Sequence, residues 1–266
     1  MELGPLELER RDVLGLASWW TLGAPATEVM IAPRTHDVAM PILGHGVLGR
    51  HLLTQAQRLG PGEFHSLRDY VVGDELRSIH WRASARSEEL KVRQHTTEGV
   101  RRCIVLLDRD RASYDDEDAE SFERAIVAAA SVVQSADRAG LTTRFVTSGG
   151  IDLRGPDVAS NTLRVLAPIA LGDPLGEVER DPGEGLGLVV VVTPSASSAA
   201  WHRAEHLVDP TLARVGVFTS TQPRGGGRMS VNASSIDRFL DGWEALAGHG
   251  RLDLRARIIA HVGGTV

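Results

Sequence analysis

Cysteine is all but missing: Cys103 stands alone, which excludes an internal disulfide and any cysteine-based metal centre. It lies in an apolar run, where a free thiol packs as a small hydrophobe. A reducing cytoplasm is the expected compartment. Aromatic residues make up only 5% of the chain, so the core must be built from Val, Leu, Ala and Ile. No apolar run reaches the roughly 18 residues of a bilayer-spanning helix. The opening Met-Glu-Leu-Gly-Pro has neither the basic nor the apolar region of a signal peptide. Basic charge is in deficit, 29 Lys and Arg against 35 Asp and Glu, for a formal net charge of -6. That balance disfavours non-specific binding to nucleic acid or to an anionic membrane surface.

Familiar enzyme signatures are lacking too. No Gly precedes a Lys anywhere, so a P-loop is excluded, and ATP-driven work would need an ATPase on another chain. No Gly-x-Ser-x-Gly elbow occurs. Two partial matches remain. Gly44-His-Gly-Val-Leu-Gly49 fits the dinucleotide fingerprint, but the residues before it contain Pro41 and make a poor central strand; the segment reads as a flexible loop. His202-Arg-Ala-Glu-His206 fits an inverted zinc-protease motif, with Glu205 as base and only Asp209, Asp237 or Glu244 as guesses for a third ligand. Its context, a helix on a parallel sheet, is wrong for those enzymes, and an amphipathic helix with exposed His and Glu explains it.

What is present is an α/β pattern. Residues 1–40 read as short β segments interrupted by Pro and Gly. Residues 41–62, rich in Gly and His, predict a flexible connector. Residues 63–102 form a charge-dense segment of their own. From 103 to 266 strands and helices alternate. Cys103–Leu107 is a run suited to a strand buried on both faces. Glu117–Ala139 carries Phe122, Ile126, Ala129, Val133 and Ala136 at helical spacing and stops at Gly140. Strands are expected over Leu141–Thr147, Leu186–Thr193 and Val215–Thr219. Helices are expected over Asp157–Ile169, Ser197–Val208 and Ser235–Ala247. Such alternation implies a parallel sheet covered on both faces.

The segment Glu63 to Arg93 holds the most specific pattern. Leu67, Arg68, Tyr70, Gly73, Asp74, Arg77, Ile79, Trp81, Ala83, Ala85, Arg86, Leu90 and Val92 match, in order, the signature of the domain-of-unknown-function 58 family, which the chain therefore resembles. The weaker likeness of Leu3–Leu8, Asp12–Leu16 and the strand ending at Asp108 extends it over most of the chain. The resemblance implies a von Willebrand A-like (Rossmann-like) three-layer α/β domain behind a β-rich N-terminal segment. It also implies a protein partner, a MoxR-type AAA+ ATPase. Family members commonly carry membrane helices upstream. The chain begins inside the pattern, as a naturally short member or one lacking its N-terminus would, and an upstream hairpin would make it membrane-associated.

Gly73-Asp74 is a turn signal. Arg77, Trp81 and Ala85 would share a face if the segment is helical, and Trp81 would then bury its ring. These residues either lock the segment onto the α/β domain or leave Arg68, Arg77, Arg82 and Arg86 to contact an acidic partner surface. Nucleic acid is the rival for an arginine-rich stretch, but residues 64–93 hold six Lys and Arg against five Asp and Glu, too even for a phosphate-binding stripe.

The resemblance also implies a divalent cation after the first strand of the α/β domain, held by an Asp-x-Ser-x-Ser pattern with a Thr and an Asp from later loops; hard oxygen ligands suit Mg²⁺. Here the positions hold Asp108, Asp110 and Ala112, and no acid stands near Thr193. Asp108 and Asp110 are weak candidates, and no tight Mg²⁺ site is expected. The function expected is a non-catalytic adaptor or co-chaperone working through Arg68, Asp74, Arg77, Trp81 and Arg86. The alternatives are a metal-dependent hydrolase and a structural subunit of a membrane-associated complex.

Overall fold

The computed structural model describes residues 2–59, 64–70, 79–85, 89–95, 100–173, 178–179, 185–207, 209, 211–222 and 227–248. Its centre is a six-stranded, mostly parallel sheet. Strand β7 (Arg102–Leu107) lies between β10 (Gly187–Thr193) and β8 (Thr142–Thr147). Beyond β10 come β11 (Leu212–Phe218) and β12 (Ser230–Asn232), and beyond β8 comes β9 (Asp152–Leu153), the one antiparallel member. The continuous Val and Leu runs of β7 and β10 are buried at every residue, as expected of strands covered on both faces.

Helix α3 (Glu120–Arg138), α4 (Val158–Leu166) and α6 (Ile236–Ala247) cover one face. Alternate side chains of the strands, among them Val105, Leu107, Val190 and Val217, enter this larger core with Phe122, Ile126, Val133 and Trp243. On the other face Ile104, Leu106, Val189 and Val191 meet Ala204, Leu212 and Trp201. The thin cover there is α5 (Ala199–Arg203) and the single 3-10 turn Ala204–Leu207. The expected helix over 197–208 is therefore split. Where the sheet meets α3, the Cys103 thiol is fully buried and pushed up to about 12 by desolvation, so it is an inert packing group.

Helix ends follow local chemistry. Ser198 and Ser235 sit at N-caps and accept from the N–H groups of Trp201 and Arg238. Gly248, at φ 84°, closes α6 by donating to Glu244 O at 2.9 Å.

The stretch expected to be a flexible connector is instead partly helical. Helix α1 (Gly46–Leu59) buries Leu48 and Leu52 completely and packs on α6 and β11. The glycines of the apparent dinucleotide fingerprint are spacers. A Cβ on Gly46 would lie 2.6 Å from Gly248 N, so the start of α1 and the end of α6 touch through bare backbone. The periodicity Leu48–Leu52 was hidden by a Gly-rich start whose purpose is close approach rather than mobility. The segment before it is anchored as well: Ala39 O accepts from Trp243 Nε1 at 2.8 Å, and the N–H of Val38 donates to Ser135 Oγ at 3.1 Å.

The N-terminal residues form a two-part ribbon. Strand β1 (Glu2–Leu3) pairs with β4 (Thr27–Glu28), and β2 (Leu6–Arg11) pairs with β3 (Ser18–Ala24), both antiparallel. The remaining pair, β5 (Phe64–Asp69) with β6 (Lys91–His95), flanks the four-residue helix α2 (Trp81–Ser84). Among the described residues, no helix is long and apolar enough to cross a membrane.

Candidate functional site

In an open parallel sheet the carboxyl ends of the strands are where ligands bind, and here they carry oxygen-bearing side chains. Asp108 follows β7, Ser148 follows β8, Thr193 ends β10 and Thr219 follows β11. All four are buried, Asp108, Thr193 and Thr219 completely. Asp108, Ser148 and Thr193 form a connected side-chain network, which Thr219 joins only through its backbone N–H, donating to Thr193 O at 3.1 Å. Thr193 Oγ1 lies 2.9 Å from Asp108 Oδ2 and 2.6 Å from Ser198 Oγ. Ser148 Oγ stands 3.3 Å from Asp108 Oδ1, which also accepts from the N–H of Asp110 at 3.0 Å. The Tyr114 hydroxyl donates to Asp108 O at 2.7 Å. Next to this cluster Ser121 and Thr219 share a hydrogen bond of 2.9 Å.

Burial dominates the electrostatics. Desolvation raises the Asp108 carboxyl above its ordinary range; the donors at Asp110, Ser113 and Thr193 oppose that shift and do not cancel it. Burial, and then the neighbouring Asp108 charge, push Tyr114 well above its ordinary value. The loop above is fastened from outside. Arg124 holds both oxygens of Asp118 at 2.6 and 2.7 Å, and Asp118 accepts in turn from the N–H of Thr221 at 3.0 Å. Burial alone would raise Asp118, but these donors outweigh it and hold the carboxyl below its usual range.

This donor set fits a divalent cation poorly. A cation needs ionised carboxylates with free lone pairs. Both Asp108 oxygens already accept, Oδ1 from the N–H of Asp110 at 3.0 Å and Oδ2 from Thr193 at 2.9 Å, while Asp110 uses Oδ1 to accept from the N–H of Ala112 at 3.0 Å. Among the described residues no group of three His, Cys, Asp or Glu could hold a metal ion. The second metal idea disperses as well. His202 is on α5, whereas His206 is on the 3-10 turn, so the four-residue spacing of an α-helix is broken between them. Glu205 pairs with Arg214 at 3.2 Å, and Asp209 pairs with Arg102 at 2.7 Å. Asp237 and Glu244 belong to α6, on the opposite face of the sheet.

The signature residues are placed unevenly. Asp74, Arg77 and Arg86 lie outside the described residues. Arg68 is on β5, its backbone paired with Val92. Trp81 opens α2 and is 65% exposed, contrary to the expectation that it would be buried. The helix is a single turn, too short to form the shared face supposed for Arg77, Trp81 and Ala85. It is tied to β6 by Ser84 Oγ, which accepts from the N–H of Lys91 at 2.8 Å, and by the N–H of His80 donating to Lys91 O at 2.7 Å. Among the signature residues whose burial is described, Ile79 is the buried one, at 4% exposure.

Sequence reasoning singled out Asp108 but missed the hydroxyls around it. A signal existed: Thr147-Ser148, Thr193 and Thr219-Ser220 all end apolar runs, and the repetition shows only once the strands are aligned side by side.

Residues 66–181 match the family model described as Protein of unknown function DUF58, the family to which the signature pointed. No curated protein and no solved structure matches the chain.

Proposed function

We propose that the protein is a non-catalytic adaptor or co-chaperone that acts with a MoxR-type AAA+ ATPase in assembling or remodelling a client complex. The observation that carries this reading is the exposure of Trp81. A tryptophan within the family-defining segment faces solvent from a turn braced against a hairpin. Exposed tryptophans on rigid supports are the anchors from which protein interfaces are made. Arg82, exposed beside it, adds a planar, bidentate donor for acidic groups.

The Asp108 network supports the same reading. Its oxygens are spent on internal hydrogen bonds, which suits a structural junction better than a reaction centre. We read the α/β part as von Willebrand A-like, on the strength of its strand order with β7 at the centre. The pairing with the ATPase follows the family resemblance.

The test is a pull-down by purified MoxR-type ATPase, comparing wild type with Trp81→Ala. The expected result is loss of retention by at least about tenfold, the scale of an interface anchor, at unchanged melting temperature. Equal retention of both proteins, or unaided turnover of a substrate by the wild type, overturns the proposal.

A further inference from the structure

Among the described residues five arginines are at least partly withdrawn from solvent: Arg102, Arg109, Arg124, Arg144 and Arg214. Four of them have a carboxylate. Arg102 pairs with Asp209 at 2.7 Å, Arg124 with Asp118 at 2.6 Å, Arg144 with Asp152 at 2.8 Å and Arg214 with Glu205 at 3.2 Å. Arg109 is the exception. Its Nε is buried without a hydrogen-bond partner, and no described acid forms an ion pair with its guanidinium. Withdrawing a cation from water without a counter-charge is unfavourable, and the other four arginines show how this fold ordinarily offsets it.

The surroundings hold Arg109 in this position. It follows β7 at the carboxyl end of the sheet, where open parallel sheets take their ligands. Its N–H donates to Ser148 Oγ at 2.9 Å, and its carbonyl accepts from the N–H of Gly172 at 2.9 Å. Gly172 is fixed from its other side by the N–H of Arg111, which donates to Gly172 O at 3.1 Å. The side chain of Arg109 then runs between two glycines of separate loops. A Cβ on Gly149 would lie 2.5 Å from Arg109 Cδ and 2.9 Å from Nη1, and a Cβ on Gly172 would lie 2.7 Å from Nη2. Bare backbone at both positions is what makes room for the guanidinium. The result is a planar cation flanked on two sides, with its Nε edge closed and the Nη1–Nη2 end left for a ligand.

The neighbouring charges bear on what that ligand is. Asp110 follows Arg109 in the chain and Asp173 follows Gly172. Asp110 is turned onto the N–H of Ala112 at 3.0 Å, so it adds negative potential without serving as the counter-ion. A dianion such as phosphate is repelled by these acids more strongly than a monoanion. One carboxylate matches the guanidinium both in charge and in its planar, two-pronged geometry.

We propose that Arg109 is a receptor for a single carboxylate, taken end-on by Nη1 and Nη2 between Gly149 and Gly172. The chemistry is the same for an acidic side chain of another protein and for a small organic acid, and the experiment separates the two. The site uses none of the residues assigned to the Trp81 contact, so each stands or falls by its own test.

The full chain, labelled with nitrogen-15, is titrated at fixed ionic strength, and the backbone amide resonance of Gly149 is followed. The probes are acetate, a tripeptide with blocked ends and one glutamate side chain, and inorganic phosphate, with sodium chloride as the balancing salt. A saturating shift is expected with acetate and with the tripeptide, and weaker binding with phosphate. Tighter binding of the tripeptide assigns the carboxylate to a protein; tighter binding of acetate assigns it to a small acid. Arg109→Lys keeps the charge but loses the fork, and is expected to weaken binding at least about tenfold, the scale of a lost charge-assisted hydrogen bond. Gly172→Ala, whose Cβ meets Nη2 at the far end of a flexible side chain, should weaken binding with Arg109 still present and the rest of the amide spectrum unchanged. No saturating shift with either carboxylate, binding unchanged by Arg109→Lys, or phosphate bound at least as tightly as acetate overturns the proposal.

Discussion

The Thr193 hydroxyl lies 2.9 Å from Asp108 Oδ2 and so joins the ends of two neighbouring parallel strands, β10 and β7, through a fully buried carboxyl group. Neither group reaches solvent, so each is the other's substitute for water. Replacing Thr193 with Val keeps the shape and removes the donor. It is expected to cost about 1–3 kcal/mol, the desolvation penalty of a buried polar group left unpaired, and to push the Asp108 carboxyl further up. Urea denaturation at neutral pH measures the first effect. Thr193→Ser, which restores the hydroxyl, should recover most of the loss.

Two carboxyl groups give opposite pH signatures. The folded protein binds a proton at Asp108 more tightly than the unfolded chain does, so the group favours folding as pH falls through its folded value and opposes it above. At Asp152 the Arg144 hydrogen bond leads the causes that hold the carboxyl well below the usual carboxylate range. Its stabilising contribution is present above that ordinary range and is lost as pH falls through the folded value. Asp108→Asn, which resembles the protonated form, is expected to raise the melting temperature at neutral pH, with the gain shrinking as the medium is acidified. Asp152→Asn is expected to lower it at neutral pH and to converge on wild type in acid. Melting curves from neutral to acid pH check both signs.

Two tryptophans should behave oppositely. Trp243 is 1% exposed and donates Nε1–H to Ala39 O at 2.8 Å, pinning the strap before α1 onto α6. Trp243→Ala is expected to cost about 3–5 kcal/mol, and Trp243→Phe about 1–2 kcal/mol through the abandoned carbonyl and lost volume. Trp81→Ala should fall within roughly 0.5 kcal/mol of wild type, as surface substitutions do. Equilibrium unfolding distinguishes them, and a large loss at Trp81 would remove the basis for treating it as a partner contact.

Glycines in the left-handed region should differ by their surroundings. Gly248, at φ 84°, has no room for a Cβ against the backbone of Gly46. Gly140, at φ 76°, faces open space. Gly248→Ala is expected to cost about 3 kcal/mol, strain and overlap together. Gly140→Ala should cost about 1 kcal/mol, from strain alone. Thermal unfolding of the two variants beside wild type measures the difference.

Local pattern sufficed where residues make their structure with near neighbours. The apolar run Cys103–Leu107, the 3.6-residue spacing of Phe122, Ile126, Ala129 and Val133, and the valines of 189–192 identified strands and helices to within a few residues, because burial on a sheet demands that periodicity. The signature Leu67 to Val92 pointed to the family from ordered residue identities alone. Helix α1 was obscured because its Gly-rich start looks like a loop until Gly248 is seen against it. The exposure of Trp81 was hidden because a tryptophan's burial depends on what lies opposite it. The hydroxyls around Asp108 come from residues 40 and 85 positions away, and only the side-by-side ordering of β8, β7 and β10 brings them together. Sequence determined the central strands and the long helices of the α/β part; the tertiary fold decided that 46–59 is a helix, which oxygens meet and which aromatic faces water, because these depend on distances across the molecule that no local period encodes.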